Sequence, residues 1–252
     1  MDASARHASI VGRLRREGRV DVAELSGELG TSEVTVRRDL DLLAEAGVLQ
    51  RVHGGAVSLL MRGDELPFAM REVEASEAKV RIGVAAAALL RDGEAVVVDS
   101  GTTGLAVARA LSGRRMTVMP LSLPNANALT GSASTTLLIP GGSARYGEGS
   151  LVGPMTEASL RGLRFDTVVL TCCGFSLDAG VTAHDLQDAA VKLAALDSAN
   201  RVVLVAEGAK FARTALAVVC PYDRVDIVVT DASAPAEALS RLRSDGVQVI
   251  EA

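Results

Sequence analysis

The apolar positions of the first 57 residues recur at helical spacing and then switch to alternation. A first helix near Ala3 to Glu17 puts Ile10, Val11 and Leu14 on one face and ends at Gly18. Val20 and Val22 suggest a brief extended piece. A second helix starts at Asp21 or Val22, runs through Ala23, Leu25 and Leu29, and closes at Gly30-Thr31. Ser32 is placed to cap a third, its hydroxyl accepting an otherwise unpaired amide, and that helix runs to about Ala46 and stops at Gly47. Leu49 to Val52 alternate as a strand, His53-Gly54-Gly55 turn the chain, and Ala56-Val57 begin a return strand.

From Ser58 to Ala78 the sequence is charged and patternless around Pro67-Phe68, which reads as a linker that becomes a helix. Short, mainly apolar runs follow at Ala95–Val98, Met116–Met119, Thr136–Ile139, Thr167–Thr171, Val202–Val205, Ile227–Thr230 and Val247–Ile250. Helical stretches such as Thr103–Leu111 and Asp185–Asn200 separate them. Strands apolar on both sides and spaced by helices belong to a mostly parallel sheet covered on both faces. The expected architecture is a winged helix-turn-helix over 1–57, a linker over 58–78, and a doubly wound α/β domain over 79–252.

Composition narrows the function. With 48% hydrophobic and 23% charged residues the chain is ordinary globular protein, and its apolar run at Ile82–Leu90, broken by Gly83, falls short of the roughly 18 residues a membrane span needs. The start Met1-Asp2-Ala3-Ser4 has no basic and apolar pattern of a signal peptide, so a soluble cytoplasmic protein is expected, without membrane contact. Cys172, Cys173 and Cys220 suit neither a disulfide framework nor a zinc site, and no metal or cofactor is expected. The net charge is −5, yet the first nineteen residues carry five Arg against two acids, so a local basic patch remains open. None of the six aromatic residues precedes Phe68, which argues against base-stacking recognition of single strands.

With Val36, Leu40 and Leu43 as the buried stripe of the third helix, Arg38 points almost opposite, flanked by Thr35 and Arg37. Guanidinium groups near a helix start fit guanine edges and phosphates in the major groove. The turn Gly30-Thr31-Ser32 supplies the break that a helix-turn-helix requires, and the ribbon carrying Arg51, His53 and Gly54 would be its wing. The competing reading is that Arg37 only pairs with Asp41 one turn on. Asp21 to Val57, with Thr35-Val36-Arg37-Arg38-Asp39-Leu40 and then Gly47, Leu49, Arg51 and His53-Gly54-Gly55-Ala56, resembles the DeoR family of bacterial transcriptional regulators. The resemblance implies a double-stranded DNA operator read by Ser32, Thr35, Arg37, Arg38, Arg51, His53 and Gly54.

In the second half, Val96-Val97-Val98 leads into Asp99-Ser100-Gly101-Thr102-Thr103 and a helix, an arrangement of amides, hydroxyls and a positive dipole end that binds phosphate. Pro140-Gly141-Gly142, Cys173-Gly174 and Gly180-Val181-Thr182 are read as further loops at the same sheet edge. Lys192 and Lys210 are two of three lysines beside 23 arginines, and a compact ammonium there suits a phosphate. These stretches, together with Lys79 and Ser122-Leu123, again resemble DeoR-family members, whose effector domains are similar to sugar-phosphate isomerases and sense phosphorylated sugars or related metabolites. The chain departs from the family pattern at Pro120-Leu121, where Thr-Asn is usual, and at Glu207, where Asp is usual. The resemblance favours a repressor, and paired half-sites call for a homo-dimer or tetramer. The alternative is an isomerase or deaminase with an accessory DNA-binding domain, using His184-Asp185, Glu207 or the Cys172-Cys173 thiols.

Overall fold

Ile10, Val11 and Leu14 of helix α1 (Ala3–Glu17) lie in one buried cluster with Leu25 of α2 (Val22–Leu29) and with Val36, Leu40 and Leu43 of α3 (Glu33–Glu45). The computed structural model describes residues 3–59, 66–211 and 213–252, and the chain divides into two units, Met1–Glu74 and Ala75–Ala252. In the first unit the sequence marks the helix starts chemically. Asp21 accepts from the amides of Ala23 (2.8 Å) and Glu24 (3.3 Å), and Ser32 Oγ accepts from Thr35 N at 3.2 Å. The wing is three-stranded: β1 (Arg19–Asp21), the extended piece of the sequence reading, pairs antiparallel with β3 (Gly55–Ser58), which pairs with β2 (Leu49–Val52).

One buried carboxylate fixes the third helix. Asp39, 4% exposed, accepts from Arg6 (Nε to Oδ2 2.8 Å, Nη2 to Oδ1 3.2 Å) and lies 2.9 Å from His7 Nε2. Burial pushes its carboxyl up, but the bonds and charges of Arg6 and His7 outweigh that and hold it below the usual carboxylate range. The segment read as a linker contains, in its described part, helix α4 (Phe68–Val73), where Arg71 donates to Leu66 O at 2.7 Å. Leu66 and Met70 pack with the core of the first unit.

The second unit begins with α5 (Ser76–Ala88) and is organised on seven parallel strands. In chain order these are β4 (Ala95–Val98), β5 (Met116–Pro120), β6 (Thr135–Leu137), β9 (Phe165–Leu170), β12 (Ala199–Val205), β14 (Ile227–Thr230) and β15 (Gln248–Glu251). Short strands β7 (Ser143–Ala144) and β8 (Leu151–Val152) form a separate hairpin. The sheet order is β15-β14-β12-β9-β4-β5-β6, so the chain winds outward in one direction from β4 and in the other from β9. One face is covered by α5 and α6 (Gly101–Leu111), through Ile82, Ala86, Val107 and Leu111 against Val96, Val98 and Val169. Helix α7 (Leu123–Leu129) follows β5. The other face takes α8 (Pro154–Arg161), α9 (Leu186–Ser198) and α10 (Ala236–Ser244), with Leu160, Val191 and Leu242 against Val97, Val168 and Leu204.

A second, antiparallel sheet of β10 (Gly174–Ser176), β11 (Gly180–Ala183) and β13 (Ala217–Cys220) stands where the sequence reading has loops. Gly174 is a strand residue, and its backbone lies so close to Arg213 O that any Cβ would collide. Among the described residues no helix is long and apolar enough to cross a membrane.

Replacing Asp39 with Asn is expected to destabilise the first unit by about 1 to 3 kcal/mol near neutral pH, measured by denaturant unfolding. Because the folded carboxyl titrates below its unfolded value, its contribution is present above the unfolded pKa and is lost as pH falls through the folded one. The gap between variant and parent should therefore close in acid.

Candidate functional site

Two surfaces carry chemistry, one in each unit. On α3, Arg38 is exposed, and Thr35 is half-buried with its hydroxyl 3.0 Å from Ser32 Oγ. Arg37 pairs with Glu33 at 2.6 Å, one turn back, and not with Asp41. Asp41 instead takes Arg51 Nε at 2.8 Å, while Arg51 Nη1 donates to Gly55 O at 2.8 Å. Arg51 thus ties the wing to α3. His53 and Gly54 are exposed at the wing turn, where Gly54 has φ +75.

In the second unit the site forms where the strand order reverses, between β4 and β9. Ligand crevices of open α/β sheets lie at such a place, outside the carboxyl ends of the strands. Asp99 follows β4, and Thr171 follows β9. Asp99 Oδ2 accepts from Thr171 N and Thr171 Oγ1, both at 2.9 Å, and from Lys192 Nζ at 2.5 Å, while its Oδ1 accepts from Ser100 N at 2.8 Å. Lys192 also reaches Asp188 Oδ2 and Thr171 Oγ1, each at 3.3 Å. An ammonium has three protons, and here three acceptors face it.

Lys192, expected from the sequence to meet a phosphate, is 2% exposed, and its ammonium faces Asp99, Asp188 and Thr171. Burial disfavours its charge, but Asp188 and Asp99 outweigh burial and raise its pKa, so it stays ionised. Asp188, pushed up by burial and by the neighbouring Asp99 against the pull of Lys192, also accepts from Ser100 Oγ at 3.3 Å.

Around this knot the turn Gly101-Thr102-Thr103 opens α6, with Gly101 at φ +87, a backbone that a side chain would strain. Thr103 Oγ1 donates to Glu207 Oε1 at 2.8 Å, and Lys79 Nζ lies 3.6 Å from the same oxygen. Asn125 Nδ2 donates to Asp99 O at 2.7 Å, and the backbone at Gly104 passes so close to that carbonyl that a Cβ would collide with it. Lys210 is half-buried on the turn after β12, and that turn is fixed by Gly208 N donating to Asp231 Oδ1 at 2.6 Å.

Other expected ligand residues are internal. Thr182 is fully buried, its hydroxyl donating to Gly174 O at 2.9 Å and accepting from Ala215 N at 3.0 Å. Ser122 is also fully buried and caps α7 through Asn125 N at 3.3 Å. Gly141 O accepts from Thr156 Oγ1 at 2.6 Å, and Gly142, at φ +123, packs its backbone against the same threonine. Asp185, considered as half of a catalytic His-Asp pair, caps α9 through Asp188 N at 2.8 Å and pairs with Arg145 at 3.5 Å. Cys172 has cations in reach, but burial outweighs Lys210 and Lys192 and pushes its thiol up to about 12. That is the opposite of an activated nucleophile.

Sequence reasoning missed Thr171, Asp188 and Asn125. Asp188 had a signal, since it lies four residues before Lys192 on one helix. Nothing in the local sequence joins Thr171 or Asn125 to Asp99.

Residues 6–60 match the DeoR-like helix-turn-helix domain family, and residues 74–232 match the DeoR C terminal sensor domain family. The chain is 33% identical to the transcriptional repressor AccR of Agrobacterium fabrum, over 90% of this chain and 88% of that one. It is 30% identical to the glycerol-3-phosphate regulon repressor of Escherichia coli K12, over 99% of each. It is also 30% identical to the HTH-type transcriptional regulator GlpR of Haloferax volcanii, over 91% of this chain and 90% of that protein.

Lys192→Met leaves Asp99 and Asp188 buried without their counter-charge and is expected to cost about 3 to 5 kcal/mol. Thr171→Val, which removes one hydroxyl, should cost less, about 1 to 3 kcal/mol. Thermal unfolding of the full chain ranks the two; equal midpoints for Lys192→Met and the parent would contradict the knot.

Proposed function

Because this chain belongs to the DeoR family of transcriptional regulators, we propose that it represses carbohydrate-metabolism genes and is released from DNA by a phosphorylated sugar or related metabolite. The observation that carries the effector half is the helix start Gly101-Thr102-Thr103 at the point where the strand order reverses, with Lys210 on the turn after β12. In this reading the amides and hydroxyls of that turn and the Lys210 ammonium take the phosphate, and Gly141 and Gly142 form the rim. Asp99, Ser100, Ser122, Gly174, Thr182 and Lys192 hold the frame. The name of the Escherichia coli relative, a glycerol-3-phosphate regulon repressor, supports a phosphate ester as the class of ligand.

In the first unit Arg38 and Arg37 reach base edges or phosphates in the major groove. Ser32 and Thr35 contact the backbone, and His53 and Gly54 approach it from a wing that Arg51 anchors. One head of three helices reads too few base pairs alone, so a cytoplasmic homo-dimer or tetramer reads paired half-sites through units 1–57, joined by the linker 58–78 to effector and assembly domains over 79–252. A coupling of about 1 to 3 kcal/mol between ligand and operator suffices.

Binding without turnover is the better reading of the second unit. The Asp99 and Asp188 carboxylates are committed to Lys192, Thr171 and Ser100, and Asp185 to its helix cap and Arg145. A general base needs a free carboxylate or imidazole in reach of a substrate proton.

Two substitutions separate the halves. Arg38→Ala should weaken binding to the DNA upstream of the gene by roughly 5- to 150-fold while ligand-induced thermal stabilisation persists. Lys210→Met should bind that DNA normally and fail to release it when sugar phosphates are added, read by fluorescence anisotropy. Normal release by Lys210→Met contradicts the assignment of the phosphate, and product formation in the same incubation contradicts binding without turnover.

A further inference from the structure

The proposed phosphate position has a resident competitor. Glu207, 9% exposed, accepts a hydrogen bond from Thr103 Oγ1 at 2.8 Å, and the same carboxylate oxygen stands 3.6 Å from the Lys79 ammonium. Lys79 is itself buried, on the first turn of α5. A hydroxyl in the first turn of α6 and an ammonium are donors that a phosphate uses. Here a carboxylate already engages them.

We infer that Glu207 is a specificity-determining residue of this pocket: it competes with a bare phosphate for Thr103 and Lys79, so that only an ester whose carbon skeleton adds contacts of its own displaces it. This rests on the reading that a phosphate ester binds beside α6. Two anions a few ångströms apart in a partly desolvated pocket repel each other strongly. Inorganic phosphate brings only its charge to that contest. An ester brings the same charge together with hydroxyls and carbons that bind elsewhere in the crevice, and those contacts offset the displacement. The carboxylate thus makes the sensor insensitive to the one phosphate that carries no information about sugars.

The test titrates inorganic phosphate into the full chain by calorimetry. Glu207→Gln keeps the shape and the oxygen that accepts from Thr103, and removes only the charge. It is expected to bind inorganic phosphate at least about tenfold more tightly than the parent, and to leave its DNA when phosphate alone is added. Glu207→Ala should behave alike and serves if the glutamine variant does not fold, as judged by its unfolding midpoint. Phosphate affinity equal to or below the parent's in the folded variant overturns the inference. Lys210→Met distinguishes the two levels: if it loses the response to sugar phosphates while Glu207→Gln gains nothing, the specificity role fails and the site stands. If neither variant alters binding of phosphate or ester, the site fails as well.

Discussion

The second unit depends on the carboxylate of Asp99. Strands β4 and β9 are neighbours 71 residues apart in sequence, as in the pairing of Val97 with Val168, and at their carboxyl ends the chain departs in opposite directions. Something must hold those ends together, because the ladder between the two strands stops there, its last backbone bond running from Asp99 N to Val169 O at 3.0 Å. Asp99 does so by accepting from both the amide and the hydroxyl of Thr171, and Lys192 joins α9 to the same oxygen. A charge so deeply buried is tolerable only when its oxygens are filled, and these are. The immediate effect is positional. With Asp99 fixed, the next residues leave it as the start of α6 at the point where the strand order reverses.

The first unit solves a similar problem in the same way. Asp39, buried between Arg6 and His7, anchors α3 through a residue directly after the Arg37-Arg38 pair. The helix cannot roll without stripping that carboxylate of its partners, so the side opposite Val36 and Leu40 keeps Arg38 outward. In both units an inward-facing acid adjoins the residues assigned to recognition. That placement lets a polar surface be presented at a fixed orientation.

How much of this could be read from the sequence follows from the range of each interaction. The helices of the reading head were legible because Ile10 with Leu14, and Val36 with Leu40 and Leu43, state a period of about 3.6 residues, and because Asp21 and Ser32 cap locally. The parallel strands were legible as apolar runs, since both faces are covered. The antiparallel sheet of β10, β11 and β13 was not, because strands of three or four residues carry no period and Gly174 and Gly180 look like turns. Arg37 shows a subtler limit: carboxylates lie one turn away in both directions, and the choice of Glu33 depended on Arg51, across the wing, taking Asp41. Lys192 was noticed as an unusual cation, but its role was set by Asp99, 93 residues distant, which only the folded sheet brings near.

Site and head meet in a single claim: a phosphate ester gathered at the β4 and β9 ends changes the affinity of the Arg38 face for DNA. The most direct measurement follows the anisotropy of the gene's labelled upstream duplex, bound to the full chain, as sugar phosphates and their dephosphorylated counterparts are added at constant ionic strength. The account requires a phosphorylated compound that frees the duplex while its dephosphorylated form leaves it bound. Release that ignores the phosphoryl group, or a duplex that never associates at any ionic strength tried, contradicts it.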